Sequence, residues 1–107
     1  MAKKNIRMDE TKIIAKIKLS SNAPQYCHFP RSEPFRTSLW ELNAIGSTVC
    51  TIAPHTVIES GIEADATVTI AGNPVLSLEL LPGTELLFGV FPQAIGSVLV
   101  IEKIPLN

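Results

Sequence analysis

The chain has 107 residues, enough for one domain that buries somewhat over ~60% of the surface its unfolded state exposes. Only 18% of the residues are charged, against roughly 25% in an ordinary globular domain, while 46% are hydrophobic, so part of the surface is expected to be covered by a partner. The net charge of -1 hides a division: residues 1–36 carry eight cations and three anions, whereas residues 37–107 carry one cation and seven anions. A basic body of the kind a dedicated nucleic-acid binder presents is excluded.

A transmembrane helix is excluded as well. The uncharged stretch from Leu86 to Ile101 is broken by Gly89, Pro92 and Gly96 and is too short to span a bilayer. Cys27 and Cys50 are the only cysteines, and no apolar leader follows Lys3 and Lys4, so the expectation is a protein made in the cytoplasm with reduced thiols.

Residues 1–10 are polar and aperiodic and read as a flexible basic arm, leaving 11–107 as a single β domain. From Thr11 to Leu19 the pattern has period two, with Ile13, Ala15, Ile17 and Leu19 in one phase and Lys12, Ile14, Lys16 and Lys18 in the other. That predicts a strand with one apolar and one basic face. The segment 20–37 holds Pro24, Pro30 and Pro34, each of which removes a backbone donor, so it reads as a long extended loop. Tyr26, Phe29 and Phe35, half of the six aromatic residues, fall in it together with Arg31.

Ser38-Leu39-Trp40-Glu41 has capping-box spacing and Gly46 stands where a helix would end, which predicts one or two helical turns through Ile45. The rival is a strand that buries Trp40, Leu42 and Ala44. Beyond this, turn residues punctuate the chain at short intervals. Thr48–Ala53, Ala66–Ile70, Val75–Leu80, Glu85–Phe91 and Ser97–Ile104 read as strands, with Val49, Ile52, Val68, Ile70, Leu76, Leu78, Leu80, Leu86, Phe88, Val90, Val98 and Val100 as the core. The fold class is therefore all-β: a small antiparallel sandwich or barrel, jelly-roll variants included, with one short helix and an extended N-terminal arm.

Chemistry is harder to find. Cys27, His28, Cys50 and His55 are the right elements for a zinc site, but adjacent Cys27 and His28 cannot readily turn to one ion, and no C-x2-C clip is present. No local signature supports a Cys/His nucleophile. Glu59, Glu63 and Asp65 flank Gly61, where a solvated turn explains them as well as acid-base work does. The glycines form turns and no phosphate-binding loop. No cofactor and no metal is expected.

These observations lead to a non-enzymatic assembly protein. It is expected to contact copies of itself or a larger protein scaffold, as a capsid cement, decoration or tail protein does, and so to be carried in a viral particle. The expected contact residues are Lys12, Ile13, Lys16, Ile17, Lys18 and Leu19 on the first strand, with Tyr26, Phe29, Arg31 and Phe35 in the loop. The alternative is a small module that binds a glycan, a peptide or single-stranded nucleic acid through the aromatic loop over 26–40. The acidic body argues against nucleic acid, and an enzyme using Cys27 or His28 ranks last.

Overall fold

Alternation of β-branched and basic residues makes Thr11–Leu19 a strand, and burial follows the alternation: Ile13, Ala15, Ile17 and Leu19 are buried while Lys12, Ile14, Lys16 and Lys18 face outward. The computed structural model describes residues 10–20, 29–70 and 80–104. In it six strands follow one another: β1 (Thr11–Leu19), β2 (Phe35–Trp40), β3 (Thr48–Pro54), β4 (Ala64–Ile70), β5 (Glu85–Val90) and β6 (Gln93–Ile104). Every neighbouring pair is antiparallel, and the order β1-β4-β3-β2-β5-β6 returns to β1, which closes a barrel.

Closure depends on β1. On one side Ile13, Ala15 and Ile17 stand opposite Val68, Ala66 and Ala64 of β4; on the other, Ala15 and Ile17 stand opposite Val100 and Val98 of β6. A bulge between Ile14 and Ala15 shifts the β6 register, which lets Val100 point inward while Ile101 stays partly exposed. The interior of so small a barrel must be filled by side chains of mixed size. Ala15, Ala64 and Ala66 supply the small ones, and Phe88, Ile52, Leu39 and Leu86 the large ones.

Two glycines permit close approaches around β6, one to β1 and one to β5. A side chain at Gly96 would collide with the backbone carbonyl of Lys18 and stand 2.6 Å from the Phe88 ring. At Gly89, where β5 bulges and φ is +150°, an added Cβ would come within 2.9 Å of the Ile95 amide nitrogen.

The segment expected to start a helix is strand β2. Leu39 pairs with Thr48 on one side and Phe88 on the other, and a hydrogen-bonded ladder with an apolar core behind it outweighs the local bonds a capping box offers. Among the described residues there is no helix. β2 ends in a turn in which the Ala44 N–H donates to the Glu41 carbonyl at 3.0 Å and Asn43 takes a positive φ of 67°. Trp40 is buried as the rival strand reading expects, but Leu42 is 71% exposed.

Of the expected core, Ile52, Val68, Ile70, Leu80, Leu86, Phe88, Val98 and Val100 are buried. Val49 and Val90 are not, at 43% and 67% exposed. Strand parity explains Val49, because Thr48, Cys50 and Ile52 occupy the inward phase of β3, whereas Val90 shares the parity of Leu86 and Phe88 and is turned outward past the bulge between Phe88 and Gly89. Leu76 and Leu78, with the expected strand Val75–Leu80 up to residue 79, lie outside the described residues, as do residues 1–9 of the expected arm.

Truncating Phe88 to Ala should lower the unfolding free energy by ~3–5 kcal/mol, whereas Val49→Ala should stay within ~0.5 kcal/mol. Chemical denaturation of the two variants beside the parent checks the inward phase directly.

Candidate functional site

Because the core fills the barrel, what the chain can offer a partner lies on its outer face and at its two rims. Antiparallel closure fixes which connections share a rim. The strand starts of β1, β3 and β5 and the strand ends of β2, β4 and β6 lie at one end, the amino-terminal rim. The β1–β2, β3–β4 and β5–β6 connections lie at the opposite rim.

At the opposite rim the β1–β2 connection is tied across the barrel mouth. Arg31 and Ile58 exchange two backbone hydrogen bonds, at 3.0 and 2.9 Å, and the fully buried Ile58 side chain plugs the interior. Phe29 meets Phe35 edge to face at 5.8 Å, Phe35 packs near Phe88 at 6.5 Å, and the Arg31 guanidinium stands 5.0 Å over the Phe35 ring. The Arg31 Nε is buried without a hydrogen-bond partner among the described residues. These aromatic rings hold the loop to the core and leave little ring face for a ligand to stack on. Tyr26 lies outside the described residues.

The expected contact strand divides in two. Ile13, Ile17 and Leu19 line the interior of their own barrel, so they are core residues of this chain and offer no surface to a neighbour. Lys12, Lys16 and Lys18 point outward, as the alternation requires. Lys16 Nζ donates to Asp65 Oδ1 at 2.8 Å, the one ion pair among the described residues. The hydrogen bond and charge of Asp65 raise the Lys16 pKa, and Lys16 in turn holds Asp65 below the usual carboxylate range. Beside this pair His55 Nε2 lies 2.6 Å from Thr67 Oγ1, and the His55 backbone N–H donates to the Asp65 carbonyl at 2.8 Å. All of these groups sit on an open sheet face, where solvent weakens them.

Catalytic and metal chemistry find no focus here. Cys50 points into the core, where burial pushes its thiol up to about 12, so it stays protonated and is a poor nucleophile at neutral pH. His55 is exposed on the outside, so the two cannot share an ion. Cys27 and His28 lie outside the described residues. Among the described residues no three His, Cys, Asp or Glu side chains come together, and no helix is long and apolar enough to cross a membrane.

Large aliphatic side chains are exposed at both rims: Val57, Ile62 and Val90 at the opposite one, and a second set at the amino-terminal rim. Its β2–β3 connection presents Leu42 and Ile45, the latter 99% exposed, and the turn leading into β5 presents Leu81 at 59%. β2 and β5 are neighbours in the barrel, with Trp40 opposite Leu87, so both connections belong to one rim, although the turn before β5 is itself hydrogen-bonded to Val100 of β6. Glu10, Glu41, Glu85 and Glu102 belong to the same end as Lys12 and Lys103, and Arg36 lines one surface groove with Glu10. The sequence matches no protein-family model and no curated protein. The rim is therefore described by its own chemistry: exposed aliphatic side chains with carboxylates at the same end of the barrel.

Sequence reasoning missed this rim. It ran a short helix through Ile45, or a strand burying Trp40, Leu42 and Ala44, although Asn43 and Gly46, both turn formers, already marked a connection.

Lys16→Ala should return Asp65 to the ordinary carboxylate range, an upward shift that carboxyl NMR titration reads. The sign also fixes the pH window of the pair. Its contribution to stability is lost as pH falls through the lowered Asp65 value or rises through the raised Lys16 value.

Proposed function

We propose that this chain is a non-enzymatic structural protein that assembles with copies of itself and, through them, with a larger protein scaffold such as the shell or tail of a virus. The observation that carries the reading is the exposed aliphatic group Leu42, Ile45 and Leu81 at the amino-terminal rim. Free surfaces scatter single apolar residues, but a rim whose connections hold out three large ones suits an interface.

Magnitudes favour the apolar residues as the source of affinity. Burying a side chain such as Ile45 contributes ~1.5–3 kcal/mol before ordering costs, whereas an exposed ion pair gives ~0.2–1 kcal/mol and weakens in salt. Charge then selects and orients the partner. The division between a basic amino-terminal third and an acidic remainder fits that role, because each copy supplies both signs.

The ligand-module reading would draw on the rings of the 26–40 loop; among the described ones Phe35 and Trp40 are buried and Phe29 packs against the core, which favours the assembly reading.

Light scattering coupled to size-exclusion chromatography tests the proposal. The full chain should show a mass above one copy that grows with concentration. A mass of 11.6 kDa at every concentration overturns it.

A further inference from the structure

We propose that the outer face of β1, β6 and β5 is the contact between two copies of this chain, packed sheet on sheet about a two-fold axis that runs along β6. The inference rests on the assembly reading above and adds to it a second surface, a partner and a geometry.

β6 contains the run Val98-Leu99-Val100-Ile101, unbroken by a polar residue. A strand that shows one face to water alternates apolar with polar, whereas a continuous apolar run belongs to a strand covered on both faces. Val98 and Val100 fill the barrel, so Leu99 and Ile101 lie outside it, the latter 40% exposed. Strand register sets further aliphatic side chains beside them. Leu87 of β5 stands opposite Ser97, diagonal to Leu99, and Ile14 of β1 meets β6 at the bulge that holds Ile101. The other side of the barrel has a different character, for β3 and β4 turn Thr51, Thr67 and Thr69 outward beside Val49. A hydroxyl-bearing sheet is at home in water, whereas an aliphatic one suits a partner.

Charge indicates which partner. Leu99 stands opposite Lys16 on β1 and opposite Glu85 on β5, so one row across these strands reads cation, aliphatic, anion. Turning a second copy about an axis along β6 lays Leu99 on Leu99 and brings Lys16 of each copy over Glu85 of the other. Sheets packed face to face lie about 10 Å apart, a gap that Lys and Glu side chains extended from both sides can close. An axis across the strands would instead set Lys16 against Lys16 and Glu85 against Glu85, which like-charge repulsion disfavours. Lys16 keeps its bond to Asp65 of β4, on the side away from β6. Lys18, in the next row, covers Leu87 of the facing copy with its methylene stem. Contact between identical faces closes at two copies.

Sedimentation velocity on the full chain tests the proposal through paired charge reversals. The parent should form a discrete dimer. Glu85→Lys sets cation against cation at both ends of the row, and Lys16→Glu sets anion against anion, so each variant alone should dimerise at least about tenfold more weakly. Mixed in equal amounts, the two variants recover both opposite-charge contacts and should pair with each other at close to the parent's affinity. That rescue also shows that neither variant has lost its fold. Ile101→Glu, which places a charge among the aliphatic side chains, should weaken dimerisation by a similar factor. A mixture that associates no better than its components overturns the two-fold geometry. If the parent assembles and neither the reversals nor Ile101→Glu changes its affinity, the face belongs to another occupant, a stretch of this chain or a scaffold protein. The assembly reading then survives without this inference. A parent that stays a single copy at every concentration overturns both.

Discussion

Strand β1 must be held on both sides for the barrel to exist. Its residues pair with β4 along one edge and with β6 along the other, and no other strand joins those two. Without it the remaining strands form an open sheet, β4-β3-β2-β5-β6, with two unpaired edges. Such edges expose unsatisfied backbone groups and invite uncontrolled pairing. The side chains that make closure favourable are those that face inward from β1. Ile13, Ala15, Ile17 and Leu19 meet Val68, Ala66, Ala64, Val98 and Val100 across the ladders, and small residues where strands approach most closely allow it.

Closure also decides where function can reside. A six-stranded barrel filled by its own side chains has no room for a ligand, and its strand edges are all in use. What remains is the outer sheet face, where polar groups such as Lys16, Asp65, His55 and Thr67 are already engaged with one another, and the two rims. One rim is tied down by Arg31, Ile58 and the edge-to-face pair Phe29 and Phe35. Both rims expose aliphatic side chains, Val57, Ile62 and Val90 at the first and Leu42, Ile45 and Leu81 at the second, and Ile45 is the most exposed of them, which is why the second carries the functional proposal.

The all-β class was legible in the sequence because period-two alternation is a property of the residues themselves. Thr11–Leu19 shows it plainly, and that strand has the expected bounds. The use of its apolar face was not legible. An amphipathic strand near a chain end presents the same pattern whether it completes its own sheet or joins a neighbour's, and only the pairing of Ile13 with Val68 separates the two. Phe35–Trp40 misled for a related reason: Ser38 and Glu41 favour a helical start locally, while the contacts that make it a strand come from Thr48 and Phe88, far along the chain. At the rim, exposure of Leu42 and Ile45 depends on a turn centred on Asn43, which hydrophobicity alone reads as buried.

The account stands on β1 as an integral member of its own barrel, and amide hydrogen exchange measures that most directly. The backbone N–H groups of Ile13 to Ile17 should exchange only through global unfolding, with protection equal to that of the β3 and β4 amides around Ile52 and Val68. Rapid exchange along β1 while β3 and β4 stay protected would contradict it. The strand would then be loosely held, and its apolar face would be available to a neighbouring chain after all.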